Sequence, residues 1–239
     1  MTQLALEVVG VSAGYGPMEV LHQVSFEVPG TSTVLLFGAN GAGKSTLLQV
    51  IAGLIAHSQG TIRVFDKPLE KTPAYKRVAL GVAYMSEQGI FPELSVDENL
   101  RLGAMHAKRH EVHERLERAY ARFPDIASRH KIQAGSLSGG QRKMVGISRA
   151  LMSDPKLVIM DEPSAGLSPK YVEDVVHVLG RLREDGISML VAEQNISFLS
   201  IADSACVLEG GVIRFQGTAA EFEGNERLHE AFFGLEGSH

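Results

Sequence analysis

Gly38-Ala39-Asn40-Gly41-Ala42-Gly43-Lys44-Ser45 carries the spacing G-x-x-x-x-G-K-[ST], that of a loop able to wrap phosphate groups. Glycines at 38, 41 and 43 let the backbone turn tightly and approach an anion without a side chain intervening. A helix opening at Ser45-Thr46 would aim unpaired N–H groups and the positive end of its dipole at that anion. Lys44 adds a mobile cation for β- and γ-phosphates, and the Ser45 hydroxyl can ligate Mg²⁺. Leu137-Ser138-Gly139-Gly140-Gln141 is a second glycine turn ahead of a helix, Gln141 to Met152, hence a second anion-binding element. A single triphosphate has no obvious need of two such elements in one chain. Leu157-Val158-Ile159-Met160 then runs into Asp161-Glu162, placing carboxylates at the end of a buried strand. Asp161 suits a Mg²⁺ shell, and Glu162 suits a general base that polarises an attacking water.

The elements that must position these residues are readable in outline. Thr33–Phe37 reads as a buried strand and the residues from Ser45 as a helix, the context a phosphate loop requires. Leu6–Val9, Val20–Val28 and Thr61–Phe65 alternate as strands, Pro29-Gly30 marks a turn, and Val78–Met85 is an apolar strand candidate. Residues 96–135 turn helical, with Val112, Leu116, Tyr120 and Phe123 on one face and Glu111/Arg115 and Glu114/Arg118 pairs on another. From 141 onward helices and strands alternate, as a doubly wound α/β sheet requires.

Composition bounds the class. A chain of 239 residues that is 44% hydrophobic can bury the core of one large α/β domain. Its net charge of −5 argues against a nucleic-acid protein. The single cysteine, Cys206, lies in an apolar stretch and suits a packed core thiol in a reducing compartment. No run approaches the roughly 18 apolar residues of a membrane span, and Met1–Glu7 lacks the basic start of a signal peptide. The expectation is a cytoplasmic chain, or one held to a membrane through a partner.

Leu137–Gln141 matches letter for letter the LSGGQ signature of the ATP-binding cassette family, and the chain resembles that family over almost its whole length. The resemblance implies an ATPase of P-loop α/β fold: a mixed-sheet core, an N-terminal antiparallel β subdomain and an inserted α-helical subdomain. It implies one domain over 1–239, with about 1–85 and 150–239 forming the core and β subdomain and about 90–149 the helical part. It further implies ATP and Mg²⁺, and two cassettes paired head to tail, the Ser138-Gly139-Gly140-Gln141 of one closing over the γ-phosphate held by the P-loop of the other. Tyr15 matches the aromatic on which adenine stacks. Glu162 falls at the catalytic glutamate, and Gln194 takes the place of the switch histidine. Glutamine can sense the γ-phosphate or water but cannot carry a proton's charge. Glu87 or its neighbour Gln88 occupies the glutamine-loop position, either able to ligate Mg²⁺ or orient water. Pro163–Ser168 resembles the dimer-contacting D-loop, with Ser168 where aspartate is usual.

Within the family, Glu87, Glu193-Gln194-Asn195, Pro163–Pro169, Phe91-Pro92-Glu93-Leu94 and Ala231-Phe232-Phe233-Gly234 resemble the second, shorter ATPase of branched-chain amino acid importers. Ser86-Glu87-Gln88-Gly89 departs from that subgroup's Pro-Glu-Gly-Arg. Importers of urea and short amides share much of the pattern. The implied partners are a second cassette, identical or not, two membrane permeases and, indirectly, a substrate-binding protein, with the chain on the inner face of the membrane. Phe91, Leu94 and Met105 are candidates for a groove that receives a permease helix. Soluble cassettes acting on DNA or ribosomes usually bear a second cassette, a coiled-coil insert or basic segments, none of which the sequence contains. A non-hydrolysing regulatory cassette conflicts with Lys44, Asp161 and Glu162.

Overall fold

In the computed structural model, which describes residues 3–87 and 89–225, Gly16-Pro17 turns Leu4–Tyr15 (β1) back on Met18–Pro29 (β2). Gly16 takes φ +58, the left-handed conformation such a tight hairpin needs. Thr33–Phe37 (β3) leads through the glycine loop into Lys44–Ala52 (α1). His57–Val64 (β4), Lys67–Pro68 (β5), Ala74–Ala79 (α2) and Val82–Met85 (β6) follow. Next come the helices Val96–Gly103 (α3), Arg109–Arg122 (α4), Pro124–Ala127 (α5) and Gly139–Leu151 (α6). Leu157–Asp161 (β7), Pro169–Glu184 (α7), Ser188–Glu193 (β8), Ser204–Glu209 (β9), Val212–Thr218 (β10) and Ala219–Glu223 (α8) complete the described residues.

The strands form a four-stranded antiparallel sheet, β2-β1-β4-β5, and a six-stranded mixed sheet, β10-β9-β3-β8-β7-β6. In the mixed sheet β6, β7, β8, β3 and β9 are parallel and β10 is an antiparallel edge. Side chains on a strand alternate between faces, so β3 and β7 each feed two cores. Leu35, Phe37, Val158 and Met160 pack against the helices α3, α4, α6 and α7. Val34, Leu36, Leu157 and Ile159 face α1 and the antiparallel sheet. Strands buried on both faces read as unbroken apolar runs, which is why these two were legible as strands. The parallel order also brings the C-terminal ends of β3, β8, β7 and β6 side by side, so the loops leaving them share one edge of the sheet.

Three local expectations are corrected. Val78 does not extend β6: it lies within α2, and Gly81 at φ +90 separates that helix from a strand that begins at Val82. Arg77 explains the difference, because its buried guanidinium donates to the carbonyls of Val50 and Ile51 at the end of α1, fixing α2 as a helix beneath it. Glu111–Arg115 pairs at 3.1 Å, whereas Arg118 reaches Asp154 at 3.6 Å instead of Glu114. The hairpin strands are also longer than their alternating cores, running 12 residues each. Phe91 and Met105 are exposed and Leu94 is partly buried, and the Arg149 guanidinium lies 5.0 Å from the centre of the Phe91 ring. Ala231–Gly234 and Gln88 lie outside the described residues.

Cys206 sits in β9 and is buried, and that burial pushes its thiol up to about 12. Native protein at pH 8 is therefore expected to react with iodoacetamide at least ~100-fold more slowly than urea-unfolded protein, since only thiolate attacks. Mass spectrometry of the alkylated chain checks this; rapid native labelling would place Cys206 at a site that opens.

Candidate active site

The glycine loop owes its shape to three positions. Gly41 and Gly43 take φ +81 and +104, and a Cβ on Gly38 would lie 2.4 Å from the Leu208 carbonyl oxygen. Gly43 precedes α1 and offers no side-chain cap, which leaves the first-turn amides of the helix available to an anion. Lys44 opens that helix and is only 4% exposed. Its Nζ donates to the carbonyls of Gly38 (2.8 Å) and Ala39 (3.2 Å) and lies 3.2 Å from Glu162 Oε1. The ammonium thus stands between the loop and the end of β7.

Asp161 is the last residue of β7 and is buried. Ser45 Oγ donates to its Oδ1 at 3.0 Å, and Tyr84 Oη to its Oδ2 at 3.5 Å. Burial pushes the Asp161 carboxyl up from its ordinary value; the Ser45 hydrogen bond and the Lys44 ammonium oppose that, while the Glu162 and Glu87 carboxylates reinforce it. Excess negative charge of this kind favours a bound cation. Mg²⁺ fits: the Ser45 hydroxyl and the Asp161 carboxylate are adjoining hard oxygen donors. Among the described residues no cage of three or more His, Cys, Asp or Glu forms, and an ion held partly by phosphates and water needs none.

Glu162 has an unusual backbone for a non-glycine residue, φ +47. Its Oε1 accepts from Gln194 Nε2 at 2.8 Å, and the same Nε2 donates to Asn40 Oδ1 at 2.7 Å. Gln194 follows β8, so one side-chain amide joins the phosphate loop to the carboxylate after β7. Lys44, Ser45, Thr46, Asn40, Gly41, Gly43, Glu87, Glu162 and Val20 line a cleft of about 240 Å³. Larger cavities, near 730 and 770 Å³, lie at the foot of the mixed sheet beside α4 and along α7, with none of the loop amides in their walls. Tyr15, at the hairpin tip, is half exposed and its hydroxyl reaches Gln49 (3.3 Å) and Thr46 (3.5 Å), which stands its ring beside the start of α1. Such a ring can stack on a base.

The signature turn is not part of this cleft. Ser138 caps α6 with a reciprocal pair: Gln141 N donates to Ser138 Oγ (3.3 Å) and Ser138 N to Gln141 Oε1 (3.1 Å). Ser138 is exposed, and its hydroxyl also reaches Tyr171 Oη at 3.4 Å. Gly140 is required by contact: a Cβ there would meet the Tyr171 ring at 2.1 Å. Ser138–Gln141 therefore form the capped start of α6 and lie outside the lining of the glycine-loop cleft.

Two functional candidates escaped sequence reasoning. Glu193, 2% exposed at the end of β8, accepts from the N–H groups of Ser164 (2.7 Å), Gln194 (3.0 Å) and Asn195 (3.3 Å), tying the turn after Glu162 to the Gln194 loop. Its carboxyl is pushed up by burial and pulled back by those donors. Lys143, on α6, donates to the carbonyls of Glu87 (2.7 Å) and Glu162 (2.9 Å). Burial lowers its ammonium from the ordinary lysine value, against the pull of the Glu87, Glu193, Glu162 and Asp161 carboxylates. The available signal was a charged residue at a position where an apolar strand or an amphipathic helix places its core side chains.

A strand, a glycine loop with buried lysine, and a strand-end carboxylate bonded to the loop serine define a P-loop nucleoside-triphosphate site on an α/β sheet. The family model described as ABC transporter matches residues 21–165. The high-affinity branched-chain amino acid transport ATP-binding protein BraG of Pseudomonas aeruginosa is 37% identical over 226 residues, covering 94% of this chain and 97% of BraG. The probable branched-chain amino acid transport ATP-binding protein LivF of Archaeoglobus fulgidus is 34% identical, over 96% and 99% of the two chains. An ATP-binding cassette of an ABC transporter solved in its ADP conformation superposes with a TM-score of 0.87 at 27% identity, covering 98% of this chain and all of that one. The chain belongs to the ABC transporter family and is an ATP-hydrolysing cassette of it.

Proposed function

We propose that this cassette powers an importer of branched-chain or other hydrophobic amino acids, working as one half of a head-to-tail pair of cassettes. What supports the paired mechanism is the position of the signature: Ser138 is exposed at the capped start of α6, and Ser138–Gln141 do not line the chain's own cleft. The cargo rests on the similarity to BraG and LivF. The partner cassette is identical or not, and two permeases sit above the pair on the inner face of a membrane. No helix among the described residues is long and apolar enough to cross a membrane. Exposed Phe91 and Met105 suit a groove for a permease helix.

ATP lies with adenine on Tyr15 and its phosphates on the amides of Gly38–Thr46. Lys44 neutralises the β- and γ-phosphates. Ser45 and Asp161, with Glu87 at the cleft wall, would hold Mg²⁺, which when bound neutralises phosphate charge. Glu162 accepts a proton from water as the water oxygen attacks the γ-phosphorus; the bond from that phosphorus to the β–γ bridging oxygen breaks, leaving ADP and phosphate. Gln194, bonded to both Asn40 and Glu162, orients the water and reports the γ-phosphate. The signature of the partner cassette closes the site, so occupancy and closure are linked.

In cells lacking the gene, uptake of radiolabelled leucine, isoleucine and valine is expected to fall at least ~10-fold, matching loss of energisation, and to be restored by the parent chain but not by a Glu162→Gln version. Unchanged amino acid uptake with lost uptake of urea or acetamide would overturn the cargo.

A further inference from the structure

Glu162 holds φ +47, and such conformations in non-glycine residues persist only where the surroundings fix them. Two contacts do so. The Glu162 N–H donates to the Ala192 carbonyl at 2.9 Å, and the Glu162 carbonyl accepts from Lys143 Nζ at 2.9 Å. The same ammonium donates to the Glu87 carbonyl at 2.7 Å. Lys143 is 8% exposed and stands on α6, the helix that begins at the signature turn. One side chain therefore joins the signature helix, the segment after β6 and the segment after β7.

A buried ammonium is costly, and an apolar residue of similar size would pack as well or better. Its hydrogen bonds here go to two backbone carbonyls rather than to a carboxylate, so its work is to place backbone. We propose that Lys143 is a positioning residue for hydrolysis, transmitting the seating of the signature helix to the backbone of Glu162 and thereby aiming that carboxylate into the cleft. This rests on the reading of Glu162 as the base. When α6 shifts relative to the sheet, the ammonium leaves one carbonyl or carries the Glu162 backbone with it. Closure of the partner against the signature thereby reaches the base through a single side chain.

The test compares Lys143→Met, which keeps the stem and removes the donors, with Lys143→Arg, which keeps donors at the end of a stem. In steady-state ATPase assays Lys143→Met is expected to lower kcat roughly ten- to thirty-fold with KM for ATP within about twofold, and Lys143→Arg to recover at least a third of the lost turnover. Added to Glu162→Gln, Lys143→Met is expected to cost nothing further, because both act on one group. If Lys143→Met does not fold by thermal melting, Lys143→Gln is read against the same expectations. Unchanged kcat in a folded variant overturns the proposal, as does a loss of ATP affinity in step with turnover. Full turnover by Glu162→Gln alone would instead remove the base reading beneath it.

Discussion

Glu162→Gln is expected to lower kcat for ATP hydrolysis at least ~100-fold, about 3 kcal/mol in the barrier, with ATP affinity nearly unchanged. The amide retains the shape and one acceptor oxygen, so the hydrogen bond from Gln194 Nε2, 2.8 Å in the parent, can survive. What disappears is the capacity to take a proton from water. Asp161 cannot substitute, since its carboxylate is buried and already accepts from Ser45 and Tyr84. Phosphate release reads the turnover, and fluorescent-nucleotide titration reads the binding. Because ATP still binds and is not consumed, light scattering should show the paired cassette accumulating with ATP and Mg²⁺, its own mate supplied where the pair is unlike. Turnover within threefold of the parent would remove Glu162 from the base role and leave Gln194 as the remaining group on the water side of the cleft.

The phosphate site was legible because its chemistry is local. Gly38–Thr46 is one contiguous turn whose glycine spacing is imposed by backbone approach, and the structure meets it with φ +81 and +104 at Gly41 and Gly43. Likewise β3 and β7 are wholly buried, so apolar runs mark them, and the carboxylates at the end of β7 fall at the sheet edge by counting alone. The misses share a different cause. Val78 belongs to α2 because Arg77 donates to carbonyls at the end of α1, a contact to residues far away in sequence. Arg118 prefers Asp154 to the helical neighbour for the same reason: tertiary geometry outweighs an i,i+4 preference worth only about 0.3–0.5 kcal/mol. Lys143 and Glu193 bind backbone N–H and C=O groups, which every residue type supplies, so no partner residue in the sequence could advertise them. Side-chain-to-side-chain chemistry leaves a pattern in sequence; side-chain-to-backbone chemistry leaves only an oddly placed charge.

Lys44→Ala should separate binding from chemistry in the opposite sense. In this cleft the only cation among the lining residues is Lys44, against the carboxylates of Glu87 and Glu162, with Asp161 behind Ser45. A triphosphate brings several more negative charges to that wall. Without the ammonium the repulsion is opposed only by the loop amides and by the Mg²⁺ carried with the nucleotide, so ATP affinity is expected to fall at least ~30-fold, about 2 kcal/mol. Turnover should fall below about 1% of the parent, because the charge that develops on the transferring phosphoryl group also loses its side-chain cation. Folding should survive: alanine is the best helix former, and the Glu162 carboxylate keeps its bond from Gln194. Isothermal titration with ATP and Mg²⁺, alongside a thermal melt, distinguishes the cases. A variant that melts like the parent but no longer binds ATP supports the role. One that binds ATP as tightly as the parent would mean that the glycine loop and helix dipole hold the phosphates without Lys44, and the 3.2 Å contact to Glu162 would then be its purpose.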